Sequence, residues 1–269
     1  MELNHIYRGD CFELIKDLPD NSIDLIVTSP PYGNRRKATY GGIDPDRYVE
    51  WFLPLGHELY RVLKSTGSFI LNIKENVVAG ERHTYVLGLI LALRQQGWLW
   101  TEEYIWHKKN CMPGRWPNRL RDAWERCLHF TKQRHFKMFQ EAVKVPVSAA
   151  TIARAACLSE VDKVRTESAV LSGFGKNLSH CVGHDRVLPT NVLHLSAQTS
   201  NRGHSAAFPE QLPEFFIKLL TTENDVVLDP FVGSGTTFDT ALRLDRQSIG
   251  FDLNYQEIGL WCITQPCAS

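Results

Sequence analysis

Three observations predict an α/β chain built on a mostly parallel sheet with helices on both faces. Short, apolar, β-branched runs recur at Ile23–Thr28, Ser68–Ile73, Tyr104–His107, Cys127–Thr131, Asp225–Asp229 and Ser248–Asp252. Helix-length amphipathic stretches lie between several of them, at Asp46–Lys64, Thr84–Gln96, Pro209–Leu220 and Thr236–Leu244. Strands that alternate with helices in this way feed parallel pairing. The length, 269 residues, suits one large domain of this class or two small ones. In such a sheet the strand ends line up along one edge, where ligands bind.

The first strand-like phrase is Ile6-Tyr7-Arg8-Gly9-Asp10-Cys11, a short run ending in Gly-Asp. The second, Ile23–Thr28, runs straight into Ser29-Pro30-Pro31-Tyr32. Two successive prolines fix two φ angles and remove two backbone donors. The Ser29 and Pro30 carbonyls, the Ser29 hydroxyl and the Tyr32 ring then form a rigid set of acceptors beside a flat stacking surface. Such a set suits a planar ring that carries an amino group. Arg35-Arg36-Lys37 follows directly.

Net charge is zero, but its distribution is uneven. Between Ile105 and Lys137 nine basic residues (Lys108, Lys109, Arg115, Arg119, Arg121, Arg126, Lys132, Arg134 and Lys137) face two acids, Asp122 and Glu125, with Trp106, Trp116 and Trp124 interleaved. A basic stretch with aromatics suits contact with phosphates; a solvated face is the alternative. From about Gln133 to Gly203 the strand–helix rhythm breaks, which predicts an insertion or small accessory lobe.

Near the C-terminal end, Val226-Val227-Leu228-Asp229-Pro230-Phe231-Val232-Gly233-Ser234-Gly235-Thr236-Thr237 reads as a strand, a glycine turn and a helix start. Exposed N–H groups at such a turn favour an anionic group such as a carboxylate. No Lys follows the second glycine, so this is not a phosphate-binding P-loop. Phe238 stands where the dinucleotide fingerprint needs a small residue. Asp229 is placed to meet an ammonium group, and Asp252, ending the next strand, to accept from ribose hydroxyls. A ligand with an amino-acid end and a nucleoside end fits, and S-adenosylmethionine is such a ligand.

The seven cysteines, Cys11, Cys111, Cys127, Cys157, Cys181, Cys262 and Cys267, include no pair at CxxC spacing. Neither a metal site nor a disulfide framework is expected. With no apolar run long enough to span a bilayer and no leader at Met1, a cytoplasmic protein with no membrane partner is expected.

In this order the phrases resemble the amino-group DNA methyltransferases of restriction–modification systems. The likeness is to the permuted β group, where the catalytic half precedes the cofactor half. It implies a Rossmann-like S-adenosylmethionine-dependent fold with a mostly parallel, seven-stranded sheet, a circularly permuted motif order and a target-recognition insertion. Residues 1–269 then form a single methyltransferase domain. Its catalytic half is 1–132, its target-recognition region about 133–203, and its cofactor-binding half 204–269. The resemblance makes Ser29, Pro30 and Tyr32 catalytic. It gives cofactor contacts to Asp10 and Cys11 at the adenine and to Asp252 at the ribose. Asp229, Phe231, Gly233, Ser234, Gly235, Thr236 and Thr237 form the glycine motif.

Gly203–Leu212 matches the segment bordering the methionine end, through Ser205, Ala206 and Phe208. His204-Ser205-Ala206 departs from the family's commoner His-Pro-Ala. Arg35, Arg36, Lys37, Lys108, Lys109, Arg115 and Arg119 are the candidate DNA contacts.

Ser rather than Asp at the head of the tetrapeptide resembles the enzymes that make N4-methylcytosine. An N6-adenine enzyme is the alternative, and a catalytically inactive DNA-binding protein on the same fold is the alternative of another class. A C5-cytosine enzyme needs a nucleophilic Cys after a Pro, and Pro266-Cys267 lies outside any strand–loop context. The implied partner is double-stranded DNA, with a cognate restriction endonuclease as a functional rather than physical partner, for a monomer or dimer.

Overall fold

The computed structural model describes residues 1–33, 42–111, 114, 118–157, 185–197 and 208–254. Its main sheet contains β1 (His5–Arg8), β2 (Ile23–Thr28), β3 (Leu63–Ile73), β4 (Leu99–Lys108), β5 (Trp124–Thr131), β6 (Val192–Leu195), β7 (Val226–Asp229) and β8 (Gln247–Asp252). The order across the sheet is β1-β8-β7-β2-β3-β5-β4-β6. Neighbours from β1 to β3 are parallel, β5 runs antiparallel to both β3 and β4, and β6 is parallel to β4.

Among the described residues the main sheet has eight strands, where the resemblance implies seven. The additional strand, Val-Leu-His-Leu at β6, lies inside the stretch 133–203, which reads as irregular. Four residues with a histidine among them give too short a pattern to identify, and pairing along β4 makes it a strand. The chain separates into two compact units, one of Met1–Met138 with Asn191–Ser269 and one of Phe139–Thr190. The second contains a short helix, Ala149–Ala156, and a ribbon pairing Val145–Pro146 with Arg186–Val187.

β2 is buried at all six positions, as a central strand covered on both faces must be. It tolerates Asp24 because Lys64 and Lys137 reach the carboxylate at 2.7 and 2.9 Å. Burial works against that charge, but Lys64, the Val226 amide and Lys137 together hold the carboxyl below its ordinary value.

The helix Tyr48–Val62 connects β2 to β3 and buries Tyr48, Phe52, Leu55, Leu59 and Val62, a one-sided stripe at three- and four-residue spacing. The helix Thr236–Arg243 connects β7 to β8, and Gln211–Leu220 precedes β7. Among the described residues, no helix is long and apolar enough to cross a membrane.

Candidate active site

β2 and β7 are parallel neighbours, yet their crossovers lead to opposite sides: β2 leads to β3, β7 to β8. The strand order therefore reverses between them, and a crevice opens beyond their C-terminal ends at such a point. The Ser-Pro-Pro-Tyr segment leaves β2 there and the glycine turn leaves β7. One hydrogen bond ties the two exits, from Thr28 Oγ1 to Asp229 Oδ1 at 2.6 Å.

On the β7 side, β7 and β8 end in an aspartate, β1 is followed two residues on by Asp10 at the start of the helix Cys11–Leu14, and each acid uses one oxygen in the same way. Asp229 Oδ1 accepts from the Phe231 N–H at 3.1 Å, Asp252 Oδ1 from the Asn254 N–H at 2.7 Å, and Asp10 Oδ1 from the Phe12 N–H at 3.0 Å. Each is an aspartate bonding its own backbone two residues on, which fixes the carboxylate against its strand end. β8 lies between β1 and β7, so the three acids line one edge in the order Asp10, Asp252, Asp229.

Asp229 is 2% exposed. Burial pushes its carboxyl up to about 6, against the pull of the Thr28 hydroxyl and the Phe231 amide. After it, Gly233 and Gly235 adopt φ of +53° and +86°, values that suit glycine. Gly235 stands immediately before the helix Thr236–Arg243, whose first N–H groups point into the turn. The donors of this turn and the acids beside it match the two ends of S-adenosylmethionine in charge and hydrogen-bonding sense. Phe231 is half-buried against Trp51, and Phe208 is buried. Cys11 is buried, which pushes its thiol up to about 12 and keeps it protonated.

On the β2 side the connections are long-range. Ser29 Oγ donates to Tyr32 Oη at 3.2 Å. Tyr32 Oη lies 2.7 Å from Glu125 Oε2 and 3.1 Å from Asn72 Oδ1. Asn72 is placed by donating to the Arg126 carbonyl at 3.1 Å. Lys108 Nζ holds the other Glu125 oxygen and lies 4.6 Å from the centre of the Trp106 ring. Lys74 donates to the Trp124 carbonyl at 2.7 Å and so anchors the start of β5.

These residues converge because of the pairing register. Asn72 sits opposite Cys127 and Glu125 opposite Trp106, so alternation along β3, β4 and β5 sends Asn72, Lys74, Lys108 and Glu125 to one face. Burial first, then the Glu125 carboxylate, raises the Tyr32 phenol well above its ordinary value, so it stays protonated. The Pro31 carbonyl accepts from the Tyr48 hydroxyl at 2.9 Å, which fixes the proline pair on its helix.

The basic stretch 105–137 is not one face. β5 runs antiparallel, so it carries the chain from the crevice edge to the opposite edge of the sheet. Lys132 and Lys137 are there, bonded to Asn21 and to Asp24 and Asp225. Arg126 is paired with Glu75 and Glu103. Trp106 is buried, with its ring nitrogen donating to the Leu195 carbonyl. Lys109 is exposed and Arg119 half-buried.

Arg35, Arg36, Lys37, Arg115, Ser205 and Ala206 lie outside the described residues. Sequence reasoning missed Asn72 and also Glu125, which it counts only as a counter-charge. The one available signal was the scarcity of acids in that basic stretch. Among the described residues, no group of three or more His, Cys, Asp or Glu is placed to hold a metal ion.

The model of the DNA methylase family matches residues 23–260. The type II methyltransferase M.PvuII of Proteus hauseri is 31% identical, with 92% of this chain and 79% of that protein covered. The solved structure of PvuII DNA methyltransferase, described as cytosine-N4-specific, is similar with a TM-score of 0.66 at 27% identity, over 92% of this chain and 81% of that one. The complex of M1.HpyAVI with SAM shares the fold, with a TM-score of 0.58 at 20% identity, over 93% of this chain and 94% of that one.

Proposed function

The chain belongs to the DNA methylase family, and on that premise we propose that it transfers a methyl group from S-adenosylmethionine to the N4 amino group of a cytosine flipped out of duplex DNA. The observation that carries this reading is the Thr28–Asp229 bond, which sets the Ser-Pro-Pro-Tyr acceptors beside the glycine turn. Asp229, the turn Gly233–Thr237, Asp252 and Asp10 are the groups assigned to S-adenosylmethionine, with Phe208, Phe231 and Cys11 as apolar walls. When bound, it supplies an electrophilic methyl group on a sulfonium, whose sulfur takes the electron pair of the breaking bond.

The chain's part is to make the amino nitrogen a better nucleophile. In cytosine the nitrogen lone pair is delocalised into the ring. The Ser29 oxygen and the Pro30 carbonyl accept the two amino hydrogens and favour a tetrahedral nitrogen, on which the pair is localised. The nitrogen gains charge as its new bond to carbon forms, and then releases one of its two protons. Ser29 is not required to be a strong base. The base must leave the stack for this geometry, and the Tyr32 ring is assigned as its stacking partner. Lys109, Arg119 and the Arg35–Lys37 loop are assigned to phosphates, and the stretch 133–203, which contains the unit Phe139–Thr190, to target reading.

The Ser at position 29 and the cytosine-N4 description of the PvuII enzyme favour cytosine. The relatives' type II naming favours a protective partner of a restriction endonuclease. Incubation with S-adenosylmethionine and unmethylated genomic DNA, digestion and mass spectrometry test the reading. N4-methylcytosine is expected. N6-methyladenine alone reassigns the base, and neither product overturns the activity.

A further inference from the structure

The hydrogen inventory around Ser29 leaves one consistent arrangement. Tyr32 Oη carries a single proton and two acceptor lone pairs. Two groups beside it only accept. Glu125 Oε2, at 2.7 Å, belongs to a carboxylate whose other oxygen is held by the Lys108 ammonium. Asn72 Oδ1, at 3.1 Å, is a carbonyl oxygen, because the amide nitrogen is engaged by the Arg126 carbonyl. The phenol proton therefore points to this pair, and most strongly to the charged partner at the shorter distance. What remains on Tyr32 Oη toward Ser29, at 3.2 Å, is a lone pair. The Ser29 proton fills it.

The reverse order, with Tyr32 donating to Ser29, leaves a phenol oxygen without a proton between two acceptors. Glu125 and Asn72 are 8% and 3% exposed, so little solvent is present to relieve that repulsion.

We propose that Glu125 is a positioning residue: acting through Tyr32, it turns the Ser29 hydroxyl proton inward and leaves the Ser29 oxygen as an acceptor for the target amino group. This rests on the function proposed above. A serine hydroxyl free to rotate offers a donor as readily as an acceptor, and a donor opposes an amino hydrogen. The chain Ser29–Tyr32–Glu125 removes that ambiguity before the base arrives.

The test is a double-mutant cycle of Glu125→Gln and Tyr32→Phe. It is read as methyl incorporation from labelled S-adenosylmethionine into unmethylated genomic DNA, with cofactor affinity by calorimetry and Tm measured beside it. Each single variant is expected to lower kcat by about 10- to 100-fold, the range for a mis-set reacting group, with cofactor affinity unchanged. The double variant is expected to be no slower than Tyr32→Phe, because Glu125 acts only through the phenol. Losses that multiply, or a Glu125→Gln enzyme at full rate, overturn the proposal. If Glu125→Gln lowers Tm substantially, Lys108→Met replaces it in the cycle and must show the same dependence on Tyr32. A wild-type protein that incorporates no methyl group overturns the proposed function itself, a result distinct from an active enzyme with multiplying losses.

Discussion

Asp10, Asp229 and Asp252 are each held by an amide two positions along the chain. Tyr32, by contrast, is held by Asn72 and Glu125, which lie 40 and 93 positions away. Two sides of one crevice are thus built by different rules. The β1-β8-β7 side repeats one local device, an aspartate at or just past a strand end that bonds its own backbone two residues on. The β2-β3-β5 side depends on register across an antiparallel pair. A lesion at Asp10 or Asp252 changes a local contact, whereas Asp229 also reaches across to Thr28 and a lesion on the second side propagates through shared partners.

Ser29→Ala separates the two sides most clearly. Methyl transfer is expected to fall by about 10²- to 10³-fold, as on loss of an electrostatic partner in a transition state. S-adenosylmethionine affinity should stay unchanged by calorimetry. A matching loss of affinity would show that the two sides are not separable.

Asp252→Ala is the converse. Affinity is expected to weaken by roughly tenfold, the cost of about one charged hydrogen bond, while turnover at saturating cofactor stays near wild type. A variant that binds normally removes Asp252 from the ribose.

Asp229 gives a pH signature that the other side lacks. An ammonium group is attracted only to the ionised carboxylate, so affinity should rise with pH through about 6. Asp229→Asn should flatten the profile. For stability the sign is opposite. The folded carboxyl binds its proton more tightly than the ordinary value of 3.8 allows. Its contribution to stability therefore falls as pH rises between 3.8 and about 6, and does not recover above. In the ligand-free protein at pH 7, Asp229→Asn should raise Tm, within an upper bound on the order of 3 kcal/mol.

The smallest effect is expected at Lys109, an exposed side chain. Lys109→Ala should weaken binding to unrelated DNA sequences alike and reduce the slope of log affinity against log salt by about 0.9. An unchanged slope places DNA elsewhere.

The same difference explains what could be read in advance. The strand-turn-helix phrases at Asp229–Thr237 and Gly9–Cys11 are contiguous, and a contiguous motif contains its own geometry. β2 is recovered at Ile23–Thr28 because an unbroken apolar run marks a strand covered on both faces. Glu125 belongs to no local pattern. Its role follows from where β5 pairs with β3 and β4, and register of that kind is decided by tertiary packing. The basic stretch misleads for a related reason: charge is counted along the chain, while an antiparallel strand delivers its two ends to opposite edges of the sheet. β6 escapes because four residues next to a polar stretch have too little periodicity.

The placement of β1 has a consequence in time. Among the described strands its sheet partner is β8, and the side chains of Asn4 and Gln247, 243 positions apart, bond at 2.6 Å. β1 therefore leaves the ribosome long before the strand it pairs with. Closing so long a loop is slow compared with local helix formation. Until it closes, β1 and the Asp10 that follows it are not set in the sheet, so a nascent chain can form the Ser29 side of the crevice before the Asp10 side.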